Sequence, residues 1–169
     1  MTEVLAVPHI DLNRYLGRWY EIVRLPQQHE DELATDISAN YAIDENGEIR
    51  VENLCLDEEG RPVSVVGHAR AVDEKNSKLK ISFLPSGLRW IPFTEGDYWV
   101  LKIDDGYLTA LIGTPDRKYL WVLARTPHIS SETLAEYLAE ARRQGFDLGS
   151  LITPLHTGRE VTDPMVAEI

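Results

Sequence analysis

Between residues 18 and 125 the chain is dominated by short runs in which apolar and polar positions alternate. Ile49, Val51, Asn53 and Cys55 alternate with Glu48, Arg50 and Glu52. Val63, Val65, Gly67, Ala69 and Ala71 alternate with Ser64, His68 and Arg70, and Leu79, Ile81 and Phe83 with Lys78, Lys80 and Ser82. Successive side chains of a β-strand point to opposite faces, so a period of two with one apolar face describes a half-buried strand. Leu54 and Val66 break the rule by falling on the polar face. Turn signals separate the runs. Asp44-Glu45-Asn46-Gly47 is the strongest, because Asn-Gly supplies the positive φ angles of a tight hairpin. Asp57-Glu58-Glu59-Gly60 and Asp104-Asp105-Gly106 act similarly. The pattern predicts eight strands joined in order, near 18–25, 36–43, 48–56, 62–73, 78–84, 97–103, 107–113 and 118–125. A helix over about 131–144 follows, with Leu134, Tyr137, Leu138 and Ala141 on one face, Ser130 or Ser131 as its cap and Gly145 at its end. Leu151 and Ile152 are candidates for one more short strand. The tail from 157 to 169 carries no pattern and is a candidate for mobility.

Eight short antiparallel strands in sequence suggest an up-and-down barrel, the all-β solution that removes exposed sheet edges. On closure the first and eighth strands become neighbours. Trp19 then lies near Arg125, and a guanidinium stacked on an indole would latch that end. The loops at 44–47, 73–77 and 104–106 fall at the latched end and are short. Those at 26–35, 57–61, 85–96 and 113–117 fall at the other end, where long loops commonly carry recognition. Small residues on the inward face of strand four, Gly67, Ala69 and Ala71, leave volume for a small ligand, which an eight-stranded barrel can enclose. Ala39, Tyr41, Asn53, Gly67, Ala69, Phe83, Tyr98 and Trp121 are the candidate ligand contacts on the strands. The 85–96 loop adds Trp90 to them, within the apolar run Leu88, Trp90, Ile91, Pro92 and Phe93. That loop reads either as a lid folded inward or as a lip meeting a ligand, a partner or a membrane surface. Arg61 or Arg89 is placed to pair with a ligand carboxylate at the rim. Glu21, near the latch, is expected to bond Arg125 or a tyrosine.

Three motifs resemble those of the lipocalins, and of their bacterial branch, which is similar to apolipoprotein D. Gly17-Arg18-Trp19-Tyr20, after Asp11-Leu12-Asn13-Arg14-Tyr15-Leu16, looks like the family's first signature, a Gly-x-Trp following a short 3₁₀ turn. Asp104-Asp105-Gly106-Tyr107 stands where the second falls, and Arg125 in Ala124-Arg125-Thr126-Pro127 matches the third. The resemblance spans about 11–155. It implies one lipocalin domain over 1–169, with a fatty acid, lysophospholipid or similar lipid bound, stored or carried in the cavity. Trp121 would line that cavity, while Gly17, Trp19 and Arg125 would serve as structural latch residues.

Composition narrows the alternatives. A formal net charge of −11 disfavours phosphate backbones and anionic headgroups, so nucleic acid is not an expected partner. The single cysteine, Cys55, allows no internal disulfide and is expected to be inert. The first residues have neither the basic start nor the apolar run of a signal peptide, and no cysteine there could accept a lipid. As written, the sequence therefore gives an expectation of a cytoplasmic protein without a membrane anchor, and of a periplasmic or outer-membrane one if the N-terminus was trimmed. His9, His29, His68, His128 and His156 are scattered, and no nucleophile motif, phosphate loop or metal-ligand spacing appears. Neither enzyme activity, a metal nor a cofactor is expected. Besides lipid binding, the sequence leaves open a partner-binding module built on the 85–96 loop and an enzyme on the same scaffold. Oligomeric state is not legible.

Overall fold

The computed structural model describes residues 2–27, 33–83 and 95–161. After an N-terminal segment, one helical turn, α1 (Leu12–Tyr15), leads into β1 (Gly17–Arg24). There follow β2 (Thr35–Ile43), β3 (Ile49–Leu56), β4 (Pro62–Ala71), β5 (Lys78–Ser82), β6 (Gly96–Ile103), β7 (Thr109–Gly113), β8 (Leu120–Ala124) and helix α2 (Ser131–Arg143). The eight strands pair in chain order, and β1 closes on β8, giving an antiparallel barrel without a free edge. The turn α1 is α-helical, where the sequence suggested 3₁₀; Asp11 caps it by accepting from the Asn13 amide at 3.1 Å.

Two apolar layers make up most of the buried core. The inner layer fills the closed end: Trp19, Tyr41, Val51, Leu79, Val100 and Ile112 pack around Ile10 and Tyr15, which enter from below. The outer layer lies between the barrel and α2, where Leu111, Leu120, Val122 and Ala124 meet Tyr137, Ala141 and Phe146. This explains why the last strands are apolar on both faces. Ser130, not Ser131, caps α2, accepting from the Thr133 amide at 3.1 Å. Gly145 ends it at φ +90, with its amide bonded to Arg142 O and that of Phe146 to Ala141 O. This paired closure needs a left-handed residue, which glycine supplies at least cost.

Leu54 is explained by a third, smaller cluster. It packs with Leu56 and Val161, so the chain beyond α2 covers the outer face of β3. The start of the tail is tied down there: the Thr157 amide and hydroxyl donate to the Asp36 carboxylate at 2.7 and 2.8 Å. Ile152 makes one isolated bridge to Arg24 rather than a strand. Among the described residues no helix is long and apolar enough to cross a membrane.

Candidate ligand cavity

The closed end is built around one arginine. The Arg125 guanidinium lies 3.8 Å over the Trp19 ring. Its nitrogens donate to five main-chain carbonyls: Tyr107, Leu16, Arg18, Arg14 and Tyr15. A guanidinium carries five N–H groups in a fixed fork, so one side chain ties the strand-eight end to the N-terminal plug. Gly17 adopts φ +100, and a Cβ there would stand 3.4 Å from Arg125 Nη1. Positive φ and the nearby guanidinium together account for glycine at that position.

Register assigns the inward face. Trp19 pairs with Ala39, Ala39 with Asn53, and Asn53 with Val65. Likewise Val51 pairs with Gly67, Ala69 with Ile81, and Leu79 with Tyr98. Cross-strand partners share a face, so all of these point into the barrel. Ala39, Tyr41, Ala69 and Tyr98 are buried in the inner layer, and Trp121 packs against it while half-buried. Asn53 and Phe83 also face inward but are exposed at the mouth. Gly67 does not leave an empty space, because a Cβ there would come within 2.6 Å of Phe83 Cδ1. The volume that the small residue was expected to free is occupied by the Phe83 ring. Trp90 and Arg89, with the rest of 84–94, lie outside the described residues. So does His29.

The mouth side of the same face is apolar yet wet. Val63, Val65 and Phe83 are 36%, 46% and 44% exposed although they share the inward face. Large apolar side chains on the concave side of a barrel reach solvent only where the interior is open. Half-buried Cys55, opposite Val63, belongs to this rim rather than to the core. Arg61 is engaged in its own turn, with Nε 3.1 Å from Asp57 Oδ2 and a second contact to Glu59, so its expected role at the rim meets an existing ion pair.

One polar feature of the interior differs from the sequence expectation. Glu21 pairs with Arg24, Nη1 to Oε2 at 3.1 Å, and not with Arg125. Both are buried and inward, opposite Leu123 and Trp121. Strict alternation from Trp19 would turn Arg24 outward. A bulge between Glu21 and Val23 shifts the phase by one residue, and a one-residue slip exchanges the faces. At the floor, Tyr98 OH bonds both Tyr15 OH and Tyr41 OH, the latter at 2.9 Å. Desolvation raises all three phenols: Tyr41 is pushed up to about 12, and Tyr15 and Tyr98 lie well above their ordinary value. They therefore stay protonated at any physiological pH.

Elsewhere, Asp44, Glu48 and His68 bring possible metal-ligand atoms within 4.8 Å of one another, outside the barrel at its closed end. One Asp44 oxygen already accepts from the Asn46 and Glu48 amides of the hairpin. A cleft of about 530 Å³ between the N-terminal segment and β5–β6 is likewise outside the barrel, with Trp99, Lys75, Lys78 and Arg117 among its walls.

A closed antiparallel barrel, plugged at one end and opening an apolar interior at the other, defines a class of proteins that hold small hydrophobic molecules. The family within that class is shown by comparison: residues 10–156 match the lipocalin-like domain, and the chain belongs to the lipocalins. It is 39% identical over 152 residues to temperature-induced lipocalin-1 of Arabidopsis thaliana, covering 88% of this chain and 81% of that one. It is 37% identical over 157 residues to the outer membrane lipoprotein Blc of Escherichia coli K12, with the same coverage. Apolipoprotein D of Macaca fascicularis matches at 34% over 130 residues, covering 75% of this chain and 66% of that one. The fold overlays insecticyanin of Manduca sexta with a TM-score of 0.73 at 20% identity, covering 95% and 88% of the two chains.

Proposed function

We propose that the barrel binds one single-chain lipid, a fatty acid or lysophospholipid, with its chain in the interior and its head at the mouth. The observation that carries this reading is the inward yet solvent-accessible apolar wall of Val63, Val65 and Phe83 above a sealed floor. Burying about twelve methylenes at ~0.8 kcal/mol each yields roughly 10 kcal/mol gross. Association costs remove several kcal/mol, which leaves an affinity near micromolar. Binding of this kind is storage or transport and asks no bond chemistry of the side chains.

Calorimetric titration of delipidated protein with hexadecanoic acid tests it. One-to-one binding near micromolar is expected, weakened at least tenfold by Val65→Glu, which sets a charge on the apolar wall. Absence of saturable binding in the unsubstituted protein would remove the reading.

A further inference from the structure

We propose that the three tyrosines at the barrel floor form a subsite for a neutral oxygen, a hydroxyl or carbonyl, at the leading end of the bound chain. This rests on the lipid-binding reading and narrows it from plain acyl chains to hydrophobes oxygenated at the far end from the head.

The donor count carries the inference. Tyr15, Tyr41 and Tyr98 are 2%, 4% and 6% exposed and offer three O–H donors. Among the described residues their hydroxyls make two hydrogen bonds, both centred on Tyr98. Each hydroxyl donates once, so whatever the orientation one O–H has no acceptor among the described residues. Buried donors are satisfied in nearly every protein, since an unmet one costs much of its desolvation energy. The acceptor then comes from the contents of the barrel, water when the interior is empty and an oxygen of the ligand when a chain displaces it.

A route to the cluster exists. On β6 the next inward position toward the mouth from Tyr98 is Gly96, and a Cβ there would meet nothing within 4 Å. On β2 the position above Tyr41 is Ala39. Small residues thus stand above both wall tyrosines, and among the described residues nothing fills the space over Gly96.

Charge selects the kind of oxygen. The field of Glu21 falls on Tyr41 and helps raise its pKa. Arg24 neutralises Glu21 instead of leaving a positive charge for a ligand. Arg125 lies against Trp19 with its donors directed at main-chain carbonyls. A carboxylate at the floor would meet the field of Glu21, and the cation whose field reaches Tyr15, Arg125, has its donors committed to main-chain carbonyls, whereas an alcohol or carbonyl accepts from a phenol at no charge cost. Phenols that remain protonated keep that donor in place.

The test compares dodecanoic to octadecanoic acids with their ω-hydroxy counterparts on the delipidated full-length protein. At the chain length that reaches the floor, the ω-hydroxy acid is expected to bind about tenfold tighter, the worth of one satisfied buried hydrogen bond. Tyr15→Phe/Tyr41→Phe/Tyr98→Phe, which removes every donor of the cluster, should abolish the preference, with affinity for the parent acid retained as the sign of a folded barrel. If the parent acids bind and the ω-hydroxy acids bind equally or more weakly at every length, the subsite is refuted and lipid binding stands. If the triple variant keeps the preference, the tyrosines are not its source and the proposal fails. If neither series binds, the lipid reading itself is lost, and the subsite with it.

Discussion

At the scale of single residues, the interior is set by side chains whose neighbours are distant in sequence. Trp19 and Arg125 were legible because strand count and closure bring the two ends together, and a stacked cation is a recognisable use for that pair. Gly17 was legible as part of the motif, and its φ of +100 supplies the physical reason. The Glu21–Arg24 pair was not legible, because a bulge leaves no mark in the alternation of Glu21, Ile22, Val23 and Arg24. The tyrosine cluster was seen only in part, since Tyr15 lies on the plug before the barrel begins. The buried pair makes a distinct prediction. Arg24→Met takes the guanidinium away from the buried Glu21 carboxylate and should cost about 3–5 kcal/mol. Adding Glu21→Gln should recover much of that loss, because a pair replaced on both sides is often near neutral. Urea unfolding of the two single variants and the double variant measures it, and simple additivity would show that the two side chains do not depend on each other.

At the scale of elements, the eight strands and the helix followed from alternation where one face is polar and from turn signals where, as in β7 and β8, both faces are apolar. A strand half-buried against a core must alternate, and the hairpins announce themselves through Asn-Gly and Asp-Gly. Boundaries were less legible: β4 stops at Ala71 and β5 at Ser82, short of the expected 73 and 84. The tail was illegible because its contacts are distant in sequence, made by Thr157 to Asp36, by Tyr20 to Glu160 and by Val161 to Leu54 and Leu56. Burial pushes the Asp36 carboxyl up, but hydrogen bonds from Thr157 and Thr35 outweigh it and hold its pKa below the ordinary value. A depressed folded pKa contributes stability that is complete above the unfolded value and is lost as pH falls through the folded one. The docked start of the tail should therefore loosen below about pH 4. The Thr157 amide resonance followed through an acid titration should shift with Asp36, and Asp36→Asn should remove that transition. A resonance unchanged by acid would show that the carboxylate does not hold the tail.

At the scale of the molecule, closure organises the rest. Pairing β1 with β8 removes both edges, places the short loops at the plugged end, and leaves one opening. The opening and its apolar inner wall were anticipated from the small residues of β4, though for a reason that needs amending, since Phe83 fills the space over Gly67 while, among the described residues, a Cβ on Gly96 would meet nothing within 4 Å. A sequence shows which positions face inward but not how a ring from the neighbouring strand folds across them. The central claim is that this interior holds a lipid. Native mass spectrometry of the protein purified from cells, with organic extraction of what travels with it, tests that claim most directly. The account predicts a single adduct per chain that extracts as a fatty acid or lysophospholipid. A clean apo mass that stays clean after incubation with fatty acid would contradict it.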